Sequence, residues 1–318
     1  MKDRKIILGI DTSNYTTSVA LMYEDGELIA NIKRPLPVKA GERGLRQSDA
    51  VFAHIKNLPS AMEEAREYLA GRTPIAVGVS EKPRNLDGSY MPCFLAGVAA
   101  AESIGASLGT PIYKYSHQCG HIMAAVYSSG QFDYLDGRDF CAFHVSGGTT
   151  EVLKVKYCEW AFSATLVGGS SDLNAGQAID RVGVYMGLPF PAGTHMERLA
   201  LENAKKIPNK KPSVEGLKLN LSGLENMAVR LYGDTKDSPL VSAFVLDYIG
   251  NAIKLLADGF REEFGDMPFI FSGGVMSNSQ IKRKISDFYD ASFAEPSMSA
   301  DNAVGIAYLA LKEHFKNI

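Results

Sequence analysis

The sequence predicts an α/β protein built from two similar lobes, on three observations. The first is a repeated device. Residues 6–13 and 16–21 read as an apolar strand, a turn of small hydroxyl residues and a returning strand rich in Thr, Val and Leu. Residues 140–150 and 151–153 repeat it, with Ser146-Gly147-Gly148-Thr149 at the turn. The second observation is that strand and helix signals alternate after each copy. The third is length, because 318 residues suffice for two cores. Turns of this composition offer backbone N–H groups and hydroxyls, the donors that phosphate oxygens need. Either turn alone is more simply an ordinary hairpin. Two of them, in two halves of one chain, predict a nucleotide gripped between similar lobes.

In the first lobe, expected over residues 1–130, Gly26 turns the chain from a strand ending near Tyr23 into a strand at 28–32. Ser48 and Asp49 open a helix to about Leu69, with Pro59 as a kink. A short buried strand at 75–79, an Ala- and Gly-rich helix at 94–108 and a strand at 111–115 follow. The second lobe, expected over 131–318, opens with the hairpin at 140–157 and a strand near 161–166. A helix over 172–186 is closed by Gly187, with Pro189 beyond it. Residues 205–219 read as a basic, Pro-containing loop, and 240–264 as a long helix. A strand at 268–271 runs into the glycine turn Ser272-Gly273-Gly274-Val275. A strand at 291–293 and a helix over 302–315, expected to return to the first lobe, finish the chain. Hairpins opening each half fit a duplicated strand–strand–strand–helix–strand–helix lobe, the actin-like arrangement.

Apolar residues at 46% and charged residues at 22% are ordinary for a globular enzyme. A net charge of −3 supplies no global basic field, so an RNA partner needs a local patch or a helper protein. Candidate patches are Lys205, Lys206, Lys210 and Lys211; Lys282, Arg283 and Lys284; and Arg43 with Arg46. Cys93, Cys119, Cys141 and Cys158 form no C-x-x-C pair, which suits a reducing cytoplasmic compartment. The first apolar run ends at Asp11 and reads as a buried strand, not a signal peptide. No stretch is expected to approach membrane-spanning length.

Between the two hairpins lies Ser116-His117-Gln118-Cys119-Gly120-His121. Ser116 can cap a helix on which His117 and His121 stand one turn apart on one face, the spacing that lets two imidazoles share a metal. Gln118 stands where a zinc peptidase motif has its Glu base, so peptidase chemistry is not expected. A third donor must come from elsewhere, and Asp301, at the start of the last helix, is the expected acid. Metal binding and a structural histidine pair fit the spacing equally well.

These motifs, together with Gly9-Ile10-Asp11-Thr12-Ser13, Asn174-Ala175-Gly176-Gln177-Ala178-Ile179-Asp180, Gly187-Leu188-Pro189-Phe190-Pro191-Ala192-Gly193, Leu221-Ser222-Gly223-Leu224, Asn278 and Asp301-Asn302-Ala303, occur in one order. That order resembles the TsaD-type tRNA adenosine threonylcarbamoyltransferases over nearly the whole chain. The resemblance implies the two-lobed actin–sugar kinase–Hsp70 fold, a duplicated ribonuclease H-like arrangement. It implies transfer of a threonylcarbamoyl group from threonylcarbamoyl-adenylate to N6 of adenosine 37, in tRNAs reading codons that begin with A. By that resemblance His117, His121 and Asp301 hold a divalent metal, iron or zinc. Asp180, Gly193, Gly274 and Asn278 contact the nucleotide, and Ser146, Gly147, Gly148 and Thr149 face its phosphates. Asp11 is the catalytic carboxylate expected to face the phosphates and place a metal or water. ATP or the adenylate, with Mg as a further ion, is the implied ligand. A smaller paralogous protein and an ATPase are the implied partners.

Three departures stand out. Gly147-Gly148-Thr149-Thr150 replaces a Gly-Gly-His-Thr turn, and residues 81–88 replace a Gly-Pro-Gly loop. Residues 44–49 keep only part of the usual surroundings of His54. They leave two alternatives standing: a carbamoyl-type transferase with a non-tRNA acceptor, and a catalytically silent scaffold paralog.

Overall fold

The computed structural model describes residues 4–13, 15–37, 45–299 and 303–316. From the N-terminus, the first elements are β1 (Ile6–Asp11), β2 (Thr16–Tyr23), β3 (Leu28–Pro35), α1 (Gln47–Leu69), β4 (Ala76–Lys82), α2 (Phe94–Leu108), β5 (Ile112–Ser116) and α3 (His117–Ser129). Next come β6 (Asp139–Val145), β7 (Thr150–Cys158), β8 (Ala161–Ser170), α4 (Ala175–Tyr185), α5 (Gly193–Leu201), β9 (Ser213–Glu215), β10 (Lys218–Asn220), α6 (Ser222–Thr235) and α7 (Ser238–Phe264). The chain ends with β11 (Phe269–Ser272), α8 (Ser279–Ser286), β12 (Ala291–Phe293), α9 (Pro296–Ser299) and α10 (Val304–Lys316). It divides into two compact units. One comprises residues 1–136, 157–163 and 300–318, the other 137–156 and 164–299.

The first unit holds a five-stranded sheet of order β3-β2-β1-β4-β5. β1 pairs antiparallel with β2 and parallel with β4, so it is central. Every residue of β1 is buried, which is why it reads as an unbroken apolar run rather than an alternation. On one face Leu8, Ile10, Val19 and Val79 pack with Leu58, Ala61 and Ala65 of α1 and Ala96 and Ala101 of α2. On the other, α10 lies directly over the strands, because Gly9 and Gly78 carry no side chain. A Cβ on Gly9 would sit 2.6 Å from the Ala303 carbonyl oxygen. Pro59 falls inside α1 without ending it.

The second unit holds a seven-stranded sheet of order β12-β11-β6-β7-β8-β10-β9. With β6, β7, β8, β11 and β12 matched to β1 through β5, the two sheets have the same strand order. The antiparallel β6–β7 and parallel β6–β11 and β11–β12 pairings repeat as well. The duplicated actin-like lobe expected from the alternation is therefore the observed architecture.

Two elements depart from the sequence expectation. The basic segment read as a loop carries β9 and β10, which extend the sheet beyond β8. Their three-residue lengths are too short to register as strands. Helix α7 has the length and apolarity to cross a bilayer, contrary to the expectation that no stretch approaches it. Asp247 and Asn251 interrupt its apolar run in the sequence. It is the core helix of its unit, burying Phe244, Val245, Ile249, Ile253, Leu256 and Phe260.

Candidate functional site

In the first unit the parallel register fixes one cluster. Ile10 lies opposite Val79, and Ser80 opposite Tyr115, so the C-terminal ends of β1, β4 and β5 come level. In open α/β sheets that end is where ligands bind. Asp11 closes β1, Ser80 stands beside it on β4, and His117 opens α3 directly after β5. Ser116 caps α3, its Oγ accepting from the Cys119 N–H at 3.2 Å.

Asp11 is 1% exposed and, among the described residues, accepts four hydrogen bonds. Oδ1 takes the Ser13 N–H at 3.0 Å and the Ser80 hydroxyl at 2.5 Å. Oδ2 takes the Ser13 hydroxyl at 3.0 Å and Nδ1 of His117 at 2.9 Å. The ring of His121 lies edge-on to that of His117, 4.3 Å between centroids, as spacing on one helix face requires. Among the described residues no group of three or more His, Cys, Asp or Glu side chains is gathered to hold a metal. Asp301, the expected third donor, lies outside the described residues. The donors present, two neighbouring imidazoles, suit iron or zinc. The buried Cys119 thiol, pushed up by desolvation, donates to the Phe162 carbonyl at 3.4 Å.

In the second unit the residues expected to meet a nucleotide are linked into one ring of contacts. The turn at Ser146 is closed by the Ser146 N–H bonding the Thr149 carbonyl at 2.7 Å, leaving Gly147 and Gly148 exposed at the tip. The start of α4 braces that turn. Gly176 N–H donates to the Ser146 carbonyl at 3.1 Å, Asn174 Nδ2 to the Gly148 carbonyl at 2.8 Å, and Ala175 N–H to Thr150 Oγ1 at 2.9 Å. The carbonyls of Ser146 and Gly148 are thus taken, and donors predominate at the open tip. Further along α4, Asp180 accepts from the Ala192 N–H at 2.7 Å and so ties down the loop before Gly193. Its carboxyl is raised above the ordinary range by burial, which that hydrogen bond partly offsets.

The ring continues through Glu197 of α5, whose carboxylate accepts from the Ser279 N–H at 2.7 Å and from its hydroxyl. Asn278 caps α8, with Oδ1 accepting from the Gln280 and Ile281 N–H groups at 3.1 Å. Gly273 returns the chain to the hairpin. Its φ of +98° and the 2.2 Å between a built Cβ and the Val145 carbonyl oxygen admit only glycine. Gly147, Gly148, Gly193 and Gly274 all face open space.

Sequence reasoning missed Ser13, Ser80, Glu197 and Ser279. Ser13 had a signal, a hydroxyl two residues after an Asp. The others had none, since each pairing depends on register or helix packing. Of the basic patches, Lys205 pairs with Asp237 and Lys284 with Asp247, each at 2.6 Å. Lys206, Lys210, Lys211, Lys282 and Arg283 are exposed, and Arg43 lies outside the described residues.

A family profile described as tRNA N6-adenosine threonylcarbamoyltransferase matches residues 38–308. The enzyme of that name from Streptococcus suis (strain 05ZYH33) is 29% identical over 332 aligned positions, covering 99% of this chain and 94% of its own. The one from Methanopyrus kandleri is 27% identical over 321, covering 97% and 88%. Among solved structures, component A of (R)-2-hydroxyglutaryl-CoA dehydratase from Acidaminococcus fermentans superposes with a TM-score of 0.59 at 13% identity, covering 97% of this chain and 98% of that one. Full-length HypF in its phosphate- and nucleotide-bound form gives 0.57 at 12%, covering 97% and 55%. At such identities these structures establish the fold alone.

Proposed function

The chain belongs to the tRNA N6-adenosine threonylcarbamoyltransferase family, and from that premise we propose that it is a metal-dependent transferase acting on adenosine 37 of tRNA, with threonylcarbamoyl-adenylate as donor. In the reaction, N6 of the adenosine attacks the carbamoyl carbon. The new N–C bond forms as the bond from that carbon to the phosphate oxygen breaks, AMP leaves with the electron pair, and N6 loses a proton. The observation that carries this reading is the exposed Gly147-Gly148 tip braced on α4, because a phosphate needs donors at a turn free of side chains. Glycines at 193 and 274 similarly let a nucleotide approach the backbone. Asp180, held at Ala192, and Asn278 supply the polar groups beside them.

His117, His121 and Asp301 are the residues that would hold iron or zinc. A divalent ion bound there supplies Lewis-acid polarisation of the carbamoyl carbonyl. The side chains of this chain bind and orient. Asn174 and Gly176 hold the phosphate turn, and Asp11 holds His117. The tRNA needs a local basic surface, and Arg46, Lys206, Lys210, Lys211, Lys282 and Arg283 are exposed candidates for it. A smaller paralogous protein and an ATPase belong to the same proposal as partners.

The test is transfer of radiolabelled threonine to purified tRNA, with the adenylate-forming synthase, ATP and bicarbonate supplied and partners added or omitted. Label on adenosine 37 is the expected result. Unlabelled tRNA, from metal-loaded protein with every partner present, would overturn the acceptor assignment and direct attention to the departures at residues 81–88 and 147–150.

A further inference from the structure

We propose that Asp11 is a positioning residue for His117, holding the imidazole in the one tautomer that can bind a metal; the inference rests on the reading of His117 as a ligand. An ionised carboxylate only accepts hydrogen bonds, so the ring nitrogen 2.9 Å from Oδ2 must carry the proton. That nitrogen is Nδ1, which leaves Nε2 of the neutral ring with its lone pair. A carboxylate on the far nitrogen fixes ring orientation and raises the basicity of the donor nitrogen.

A bland account makes Asp11 a turn residue whose carboxylate stabilises the end of β1. That account explains only the two bonds from Ser13, which are local. The bonds from Ser80 and His117 come from 69 and 106 residues away, on β4 and α3. Ser80, fully buried, spends its hydroxyl on Asp11, and together with Ser13 it fixes both oxygens in place. Among the described residues the carboxylate is therefore held by Ser13, Ser80 and His117, with Oδ2 toward the imidazole. A group so enclosed is poorly suited to exchanging protons with substrate and well suited to orienting a neighbour.

Two measurements test this. In metal-free protein at pH 8.5, long-range 1H–15N correlation of the His117 ring should show a protonated Nδ1 and an unprotonated Nε2. The opposite tautomer would overturn the proposal without any variant. Titration with cobalt(II) alone, followed by visible absorption, should then show Asp11→Asn weakening the ion by about 10- to 100-fold, with unchanged far-ultraviolet circular dichroism. Full cobalt affinity in folded Asp11→Asn, with the wild-type tautomer retained, would defeat it. His117→Ala separates the two layers. Loss of cobalt binding there upholds His117 as a ligand, whereas full binding removes the metal reading itself and this inference with it.

Discussion

The two hairpin turns share a sequence grammar but not a physical state. The first, at Asp11-Thr12-Ser13, is closed. Thr12, Ser13, Thr17 and Ser18 are all fully buried, and Thr12 Oγ1 is used twice, accepting from Gly97 N–H at 3.0 Å and donating to the Cys93 carbonyl at 3.1 Å. The second, at Ser146–Thr149, is open, with two glycines exposed and its carbonyls bound from behind. Equivalent positions in a duplicated fold have thus diverged. One turn spends the hydroxyls of Thr12 and Ser13 on internal hydrogen bonds while Asp11 holds a histidine; the other keeps its surface bare. Composition predicts the turn in both cases. Which polar groups remain for a ligand is decided by what packs behind.

The largest expected effect comes from filling the brace of the open turn. In Gly176→Val the added carbons meet Gly147 Cα and N at 2.6 Å, backbone atoms that cannot swing aside. We expect a loss of about 1–3 kcal/mol in stability, read by denaturant unfolding, and at least tenfold weaker AMP binding by calorimetry. Wild-type AMP affinity in this variant would break the link between the turn and nucleotide.

Next comes the closed turn. Thr12→Val keeps the shape but leaves the buried Gly97 N–H unpaired, for an expected loss of about 1–3 kcal/mol. Its AMP affinity should stay within twofold of wild type. A large affinity change here would mean that the first turn is also part of the nucleotide site.

Gly147→Ala reverses that profile. Open space surrounds the added methyl, so unfolding should shift by no more than about 0.5 kcal/mol. AMP binding should fall severalfold, and an unchanged affinity would remove the tip from the proposed phosphate contacts.

The smallest effect is acid-specific. Desolvation alone would raise Asp172, but hydrogen bonds from Ser222, Leu221 and Leu173 outweigh it and hold the carboxyl at about 2, below its ordinary 3.8. A depressed folded pKa stabilises above the unfolded value and is lost as pH falls toward the folded one. Wild type should therefore lose stability between about pH 4 and pH 2, while Asp172→Asn should give a flatter profile there by circular dichroism. Parallel profiles would show that these bonds, just beyond the ends of β8 and β10, do not depend on its charge.

Much of the fold was legible because its signals are local. An unbroken apolar run marked β1 as a buried strand, and Ser116 before a histidine-bearing apolar stretch marked the start of α3. Glycine at 187 and proline at 189 marked the end of α4, whose start the structure places at Ala175 rather than 172. Strands β9 and β10 were illegible because three residues carry no periodicity, and β8, to which β10 pairs, lies about fifty residues back.

The sequence by itself determined the duplicated architecture, the family and the residue types available at each turn, since these follow from order, spacing and apolar pattern. Only the tertiary structure decided which of those residues are engaged. Asp11 is bound by Ser80 because β1 and β4 lie in parallel register, and by His117 because β5 delivers α3 to the same sheet end. The turn at Gly147 stays open because α4 approaches it from behind over Gly176. A hydrogen bond depends on angstroms between residues far apart in the chain, and no local pattern encodes that distance.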